Sequence, residues 1–333
     1  MARWQLLASR HLRPSPGHGL SITPVVPLRD AFTPTRPQRG ATRFVGRHAE
    51  LRRILEVLED EQAHIILYGD RGIGKTSLMN RATGMLRAAG YCVARHICDA
   101  NSDFESIMRG LVRDMPASFL VVPLSGQSDA QGCEQALLQR ACEPGDIAGL
   151  PGRLNAPHVV LVIDEFDRVR SQDVRDRLAD TIKHVSDRGV NLSFVIIGVS
   201  GDLEELIGRY PSIRRSIVGI QLPALTNAET ARIIADAAEV SGFVFPPAVT
   251  SRIVSISAGS PYLTHLLGLR TAQAARVRDA RQVNENDLDA AIKRVARDVH
   301  PEVLLQHSQP LSMLAASTHD CPDETTAAPQ FAD

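Results

Sequence analysis

The sequence predicts an α/β protein whose sheet strands run parallel, and three observations predict it. From about Arg47 to Ala156, amphipathic helical stripes alternate with short runs of apolar β-formers. A glycine-rich segment, Gly69-Asp70-Arg71-Gly72-Ile73-Gly74-Lys75-Thr76, joins one such run to a helix. Val159-Val160-Leu161-Val162-Ile163 is apolar without a break, as a strand covered on both faces must be, and it ends in Asp164-Glu165. That puts two acids at the C-terminal end of a parallel strand, where ligands of open α/β sheets bind.

The elements follow in order. Residues 1–48 hold eight Arg and one acid, Asp30, with Pro14, Pro16, Pro24, Pro27, Pro34 and Pro37. Proline at that density blocks helices and central strands, so 1–28 is expected to be a disordered basic leader. It has the composition of either an organelle transit peptide or a floppy leader, and its apolar run Trp4–Ala8 is too short for a secretory signal. Leu51, Ile54, Leu55 and Leu58 give Glu50–Leu58 a helical stripe. His64–Tyr68 reads as a strand, Lys75–Ala89 as a helix stopped by Gly90, and Tyr91–Ile97 as a second strand. Ser193–Val199 and Ile217–Leu222 complete the strands. Thr226-Asn227-Ala228-Glu229 matches the capping pattern that opens a helix, here through Val240. Helices over Pro246–Ser257, Pro261–Ala274 and Asn284–Ala296 follow, with Ser260-Pro261 and Asn284–Asp287 as start signals. Residues 309–333 carry four acids and no Lys or Arg, and read as an unstructured tail.

Composition excludes several classes. In 333 residues, 44% hydrophobic and 23% charged content is that of a globular protein, neither collagen-like nor low-complexity. Lys plus Arg number 37 against 38 Asp plus Glu, so bulk charge does not suggest a nucleic-acid coat, although the leader alone is basic. The longest apolar runs fall far short of a membrane span. The five cysteines are scattered, with no CxxC or Cys/His cluster, which argues against a disulfide framework or a zinc site and points to the cytoplasm.

Gly69–Thr76 fits G-x-x-x-x-G-K-[ST] in full, between a strand and a helix. The three glycines let the backbone of Gly69, Asp70, Arg71, Gly72, Ile73 and Gly74 turn its N–H groups inward, and the helix start adds its positive end, so a triphosphate meets both. Lys75 is expected to reach the β- and γ-phosphates, and Thr76, followed by Ser77, to offer a hydroxyl to Mg2+. Asp164 is then the carboxylate that holds a water of that Mg2+, and Glu165 the base that orients and deprotonates the water attacking the γ-phosphate. An acid beside the metal carboxylate points to hydrolysis, and with no N-K-x-D present ATP is the expected nucleotide.

Phe44-Val45-Gly46-Arg47 with Glu50-Leu51, Gly69–Ser77, Asp164-Glu165-Phe166-Asp167-Arg168, and Asp180–Lys183 with Ser186-Asp187 resemble the bacterial AAA+ ATPases related to origin-recognition initiators and STAND switches. The resemblance covers roughly residues 30–300. It implies an ASCE-type P-loop fold with a five-stranded parallel sheet, helices on both faces, and a small helical lid. The implied organisation is a leader over 1–28, an ATPase core over 29–223, a lid over 224–300 and an acidic tail over 301–333. In such a protein Val45 and Gly46 pack near the adenine, with Arg47 available to phosphate or to acidic lid groups. Ser200, after its strand, takes the sensor 1 place, or is a turn residue. Arg215, with Arg214 next, takes the place of a finger reaching a neighbouring subunit's ATP, or is a surface arginine. The Gly259/Pro261 pair fits the G-x-P form of the sensor 2 region, where Pro261 touches the nucleotide, and His265 reads as a packed histidine. Relatives of this kind continue into a winged-helix module, where this sequence has its acidic tail, as a minimal ATPase or a truncated frame would. The implied functions are an ATPase that regulates or loads a DNA-associated complex, a STAND signalling switch, or a nucleotide-stabilised adaptor. Self-association through the trans arginine and a DNA or protein partner go with them.

Overall fold

The computed structural model describes residues 26–34, 45–119, 142–199 and 211–298. They fall into two compact units: 45–119, 142–199 and 211–224 form one, and 26–34 with 225–298 form the other.

The first unit is a parallel five-stranded sheet flanked by helices. Its strands are β1 (His64–Tyr68), β2 (Cys92–Ile97), β3 (Val159–Asp164), β4 (Leu192–Gly198) and β5 (Ile217–Gln221), in the spatial order β2-β3-β4-β1-β5. Every residue of β3 and β4 is buried, which explains why these two read as unbroken apolar runs. Edge strand β5 is fully buried only at Ile220, and edge strand β2 becomes half-exposed after Ala94. Two apolar layers sandwich the sheet. Leu78, Met79 and Ala82 of the helix Lys75–Ala88 pack on Val93, Val160, Val162 and Val195. On the opposite face, Phe104, Ile107 and Leu111 of Phe104–Arg113, with Leu178 and Ile182 of Gln172–Arg188, pack on Ala94, Leu161 and Phe194. Odd and even strand positions thus go to opposite layers, as the pleat requires.

The helix ahead of β1 begins at His48 and ends at Glu56, then widens into a π turn over Val57–Glu61 that Gln62 leaves at φ +50°. The sequence pattern of a single α-helix over Glu50–Leu58 misses this change, because Val57 and Leu58 are buried in either winding.

The second unit packs the helices Asn227–Ser241, Pro247–Ser257, Pro261–Val277 and Glu285–Asp298 around one apolar cluster. Thr226 closes a capping box with Glu229, and Ser260 Oγ accepts from Leu263 N ahead of Pro261. Leu28–Ala31, a one-turn helix, and Phe32 belong to this cluster. Phe32 is fully buried against Gly268, where an added Cβ would stand 2.3 Å from its ring, and Val26 N donates to Val240 O at 2.8 Å. The sequence organisation assigned residues from 29 onward to the sheet-bearing core, and 26–34 instead lie in the helical unit. The reason is local: Leu28, Ala31 and Phe32 supply an apolar turn inside a proline-rich, basic stretch, and apolar surface goes where a groove buries it.

Candidate functional site

The loop after β1 is shaped by its glycines. Gly69 has φ +150°, and a Cβ there would lie 2.7 Å from Leu222 O, so the chain leaves β1 in direct contact with the segment after β5. Gly72 (φ +74°) and Gly74 (φ +99°) make the left-handed turns that aim the loop into the helix Lys75–Ala88, with Gly74 at its N-cap. Lys75 Nζ bonds the loop's own carbonyls, Gly69 O at 2.6 Å and Asp70 O at 2.8 Å. Burial pulls the Lys75 ammonium below its usual range, while Asp167, Asp164 and Asp70 act in the opposite direction.

The acid pair stands across from this helix start. β4 lies between β1 and β3, so the C-terminal ends of all three strands meet one cleft of about 470 Å³, lined by Arg71, Gly72, Lys75, Thr76, Asp164, Glu165, Asp167, Arg168, Gly198 and Val199. Thr76 Oγ1 donates to Asp164 Oδ2 at 3.1 Å. Asp164 is nearly fully buried, and its Oδ1 accepts the backbone N–H of Glu165 at 2.9 Å. Glu165 itself has φ +55°, a strained conformation for a non-glycine residue, and turns the chain sharply out of β3. Its Oε2 accepts from Arg168 at 2.9 Å, while Arg71 pairs with Asp167 at 3.6 Å across the mouth. The thiol of Cys98, just past β2, is pushed up to about 12, first by burial and then by the charge of Asp164.

The cleft therefore brings together Arg71, Gly72, Lys75, Thr76, Asp164 and Glu165 of the sequence-derived set, with Gly69, Asp70, Ile73, Gly74 and Ser77 on the same loop and first turn. Val45 and Gly46 are half-buried ahead of His48–Glu56, with Gly46 at φ +69°. Arg47 departs from its expected role: it is buried, forms an ion pair with Glu50 at 3.2 Å, and donates to Pro223 O. Its guanidinium ties the segment before β1 to the segment after β5, so it is committed within the sheet-bearing unit. Arg215 lies on the 3-10 turn Pro211–Ser216 with a side chain 85% exposed and 4.0 Å from Asp187. Pro261 is the first residue of Pro261–Val277 in the helical unit. Ser200 lies outside the described residues.

Sequence reasoning missed Arg95. This β2 residue donates through one terminal nitrogen to Asp164 Oδ2 and through the other to Asn80 Oδ1 at 2.5 Å. The signal was parity: Arg95 follows Val93 by two positions, so it faces the Lys75–Ala88 layer, and a charge on that buried face needs a partner there.

A glycine loop between a parallel strand and a helix, facing an acid pair two strands away in a β2-β3-β4-β1-β5 sheet, is the arrangement of P-loop nucleoside triphosphatases, and the fold is of that class. The comparisons agree. At the level of fold, the chain is similar to the Aeropyrum pernix ORC1 protein, solved in complex with DNA, with TM-score 0.57 and 21% identity over 83% of this chain and 71% of that one. It is similar as well to the Walker-type ATPase PABY2304 of Pyrococcus abyssi (TM-score 0.58, 15% identity, 86% and 79% covered) and to Cdc6p of Pyrobaculum aerophilum (0.57, 16%, 83% and 73%). A search of curated proteins gives no match. The model of novel STAND NTPase 1 matches residues 31–305, and the chain belongs to that family. No described helix is long and apolar enough to cross a membrane.

Proposed function

We propose that this P-loop protein binds ATP with Mg2+ and hydrolyses it, its nucleotide state driving lid closure and assembly. The observation that carries this reading is the meeting of Lys75, Thr76, Asp164 and Glu165 in one cleft at the strand ends. The donor set fits the metal: a hydroxyl and a carboxylate, both hard oxygen ligands, stand within hydrogen-bond distance at a helix N-terminus. A bound Mg2+ supplies positive charge to the phosphates and their departing oxygen.

The rest falls to the chain. Lys75 exchanges its loop carbonyls for the β- and γ-phosphates, whose charge offsets its burial. Glu165 leaves Arg168 and takes a proton from the water whose oxygen attacks γ-phosphorus, as the bond to ADP breaks. Val45 and Gly46 flank the adenine, Ser200 contacts the γ-phosphate or the attacking water, and Arg215 reaches the ATP of a neighbouring subunit. The exposure of Arg215 supports the last assignment, since a finger in trans must stand clear of its own chain.

The output of this cycle is the regulation or loading of a DNA-associated complex, a reading supported by the fold shared with the DNA-bound ORC1 protein. A second reading, a STAND-type switch with little turnover, is favoured by the family and by the ion pair that holds Glu165 to Arg168. Steady-state ATP hydrolysis against protein concentration, with and without duplex DNA and with Glu165→Gln as blank, separates them. Specific activity that climbs with concentration and DNA supports the DNA-coupled ATPase. A flat, near-zero rate with ATP retained supports the switch, and absence of ATP binding overturns both.

A further inference from the structure

Asp164 is the most heavily engaged carboxylate of the cleft, and one of its partners is out of place for a metal site. Oδ1 accepts from Glu165 N, and Oδ2 accepts from Thr76 Oγ1 and from Arg95. The threonine bond is compatible with a bound cation, because a hydroxyl that donates its proton to Asp164 still has lone pairs to offer. The arginine bond is not, because a guanidinium on Oδ2 puts positive charge where a cation would stand.

Arg95 is also well held. It reaches Asp164 diagonally across the β2–β3 pair, where Arg95 is in register with Val162 and Ile97 with Asp164. Its second terminal nitrogen is fixed by Asn80, one turn along the helix that Lys75 opens. The side chain is about one-fifth exposed, against 4% for the carboxylate, so the pair is largely shielded from water. Its Nε is buried with no hydrogen-bond partner among the described residues. A nearly buried carboxylate without a counter-charge is costly, so some cation has to be present in the metal-free protein.

We propose that Arg95 is a built-in counter-ion that holds the metal-binding carboxylate Asp164 in the nucleotide-free state and gives it up when Mg2+–nucleotide binds. This rests on the reading of the cleft as a Mg2+–nucleotide site. Its consequence is a competition: the metal affinity observed is the intrinsic affinity reduced by the fraction of molecules in which Arg95 has released Asp164. If that fraction is about one in ten, removing Arg95 lowers the Mg2+ requirement about tenfold. Without Arg95, stability also becomes more metal-dependent, since Asp164 keeps only the longer-range charge of Lys75.

The test uses thermal unfolding followed by circular dichroism on the full chain, in chelator, then across a Mg2+ titration at fixed ADP. Arg95→Ala is expected to melt below wild type in chelator and to regain most of the loss with Mg2+–ADP. Its half-effective Mg2+ concentration falls, by about tenfold for a released fraction of about one in ten. Arg95→Lys, which keeps a cation, stays near wild type. Arg95→Gln, which keeps a polar group for Asn80 without the charge, carries the alanine expectation should that variant fail to fold. A purely structural role would lower melting equally at all Mg2+ concentrations. That result, or a higher Mg2+ requirement in the uncharged variants, overturns the inference while wild type is still stabilised by Mg2+–ADP. Wild type that gains nothing from Mg2+–ADP overturns the nucleotide-site reading and the inference with it.

Discussion

Acidification to about pH 5 should destabilise the sheet-bearing unit by charging two histidines that the fold buries neutral. His64 opens β1 and His158 precedes β3, and both are almost wholly inaccessible. Phe194 N donates to His64 Nδ1 at 3.0 Å, which fixes the neutral tautomer with its proton on Nε2, facing Ser186 Oγ at 3.1 Å. His158 Nε2 lies 3.0 Å from Ser193 Oγ. Burial pulls both imidazoles from 6.5 to about 4, and the nearness of His158 adds to the shift at His64. Because the folded values lie below the unfolded one, the unfolded chain binds the protons. Stability is therefore complete above 6.5 and is lost as pH falls toward 4. At about pH 5 each histidine forfeits ~2 kcal/mol, and the pair roughly 4 kcal/mol, a large share of a typical domain's stability. Asp99 and Asp103 do not confuse the reading: backbone and serine hydrogen bonds hold their carboxyls below the usual range, so their contribution is lost only at more acid pH. Urea unfolding by circular dichroism at about pH 7.5 and about pH 5 measures the difference. His64→Asn, which keeps an acceptor for Phe194 N, combined with His158→Gln, should reduce the pH dependence and leave the part due to His265 and His96, which burial also lowers. Equal stability of wild type at both pH values, or an undiminished slope in the double variant, would refute the argument.

The remaining predictions concern the cleft and the helical unit. Lys75→Ala removes a charge-assisted phosphate contact and should weaken ATP binding by roughly 2–3 kcal/mol, about 30- to 150-fold in Kd by titration calorimetry. Glu165→Gln should bind ATP at least as well as wild type and stop turnover. Arg215→Ala should lower turnover at high protein concentration and leave ATP affinity unchanged, and unchanged turnover removes Arg215 from the site. Phe32→Ala should destabilise the helical unit by about 3–5 kcal/mol in urea unfolding, the cost of emptying a filled aromatic pocket. Cys98, its thiol pushed up to about 12, should resist alkylation in the folded protein at about pH 8 and react once urea is added, read by mass spectrometry of its peptide.

Much of this was legible because parallel strands buried on both faces have to be apolar throughout. β1, β3 and β4 announce themselves in that way, and the glycines around Lys75 announce a backbone that only glycine adopts cheaply. What stayed hidden depends on contacts between distant residues. Nothing local says that Arg47 will turn inward to Pro223, or that Arg95 will meet Asp164, although strand parity puts both members of the second pair on one face. The π turn at Val57–Glu61 escaped because one added residue per turn barely shifts an apolar stripe over five residues. Leu28–Phe32 escaped because proline density reports on helix formation and says nothing of a groove formed by residues after Leu225.

That last segment sets a schedule for the newborn chain. Synthesis runs from the N-terminus, so Leu28, Ala31 and Phe32 leave the ribosome long before Leu263, Leu267 and Gly268 exist to receive them. The sheet-bearing unit can close its core meanwhile, because every strand it needs lies between His64 and Gln221. The helical unit cannot. Its final layer is made first and fitted last, so that one apolar turn must wait unpaired, flanked by Arg29, Asp30 and prolines that keep it soluble until its groove arrives.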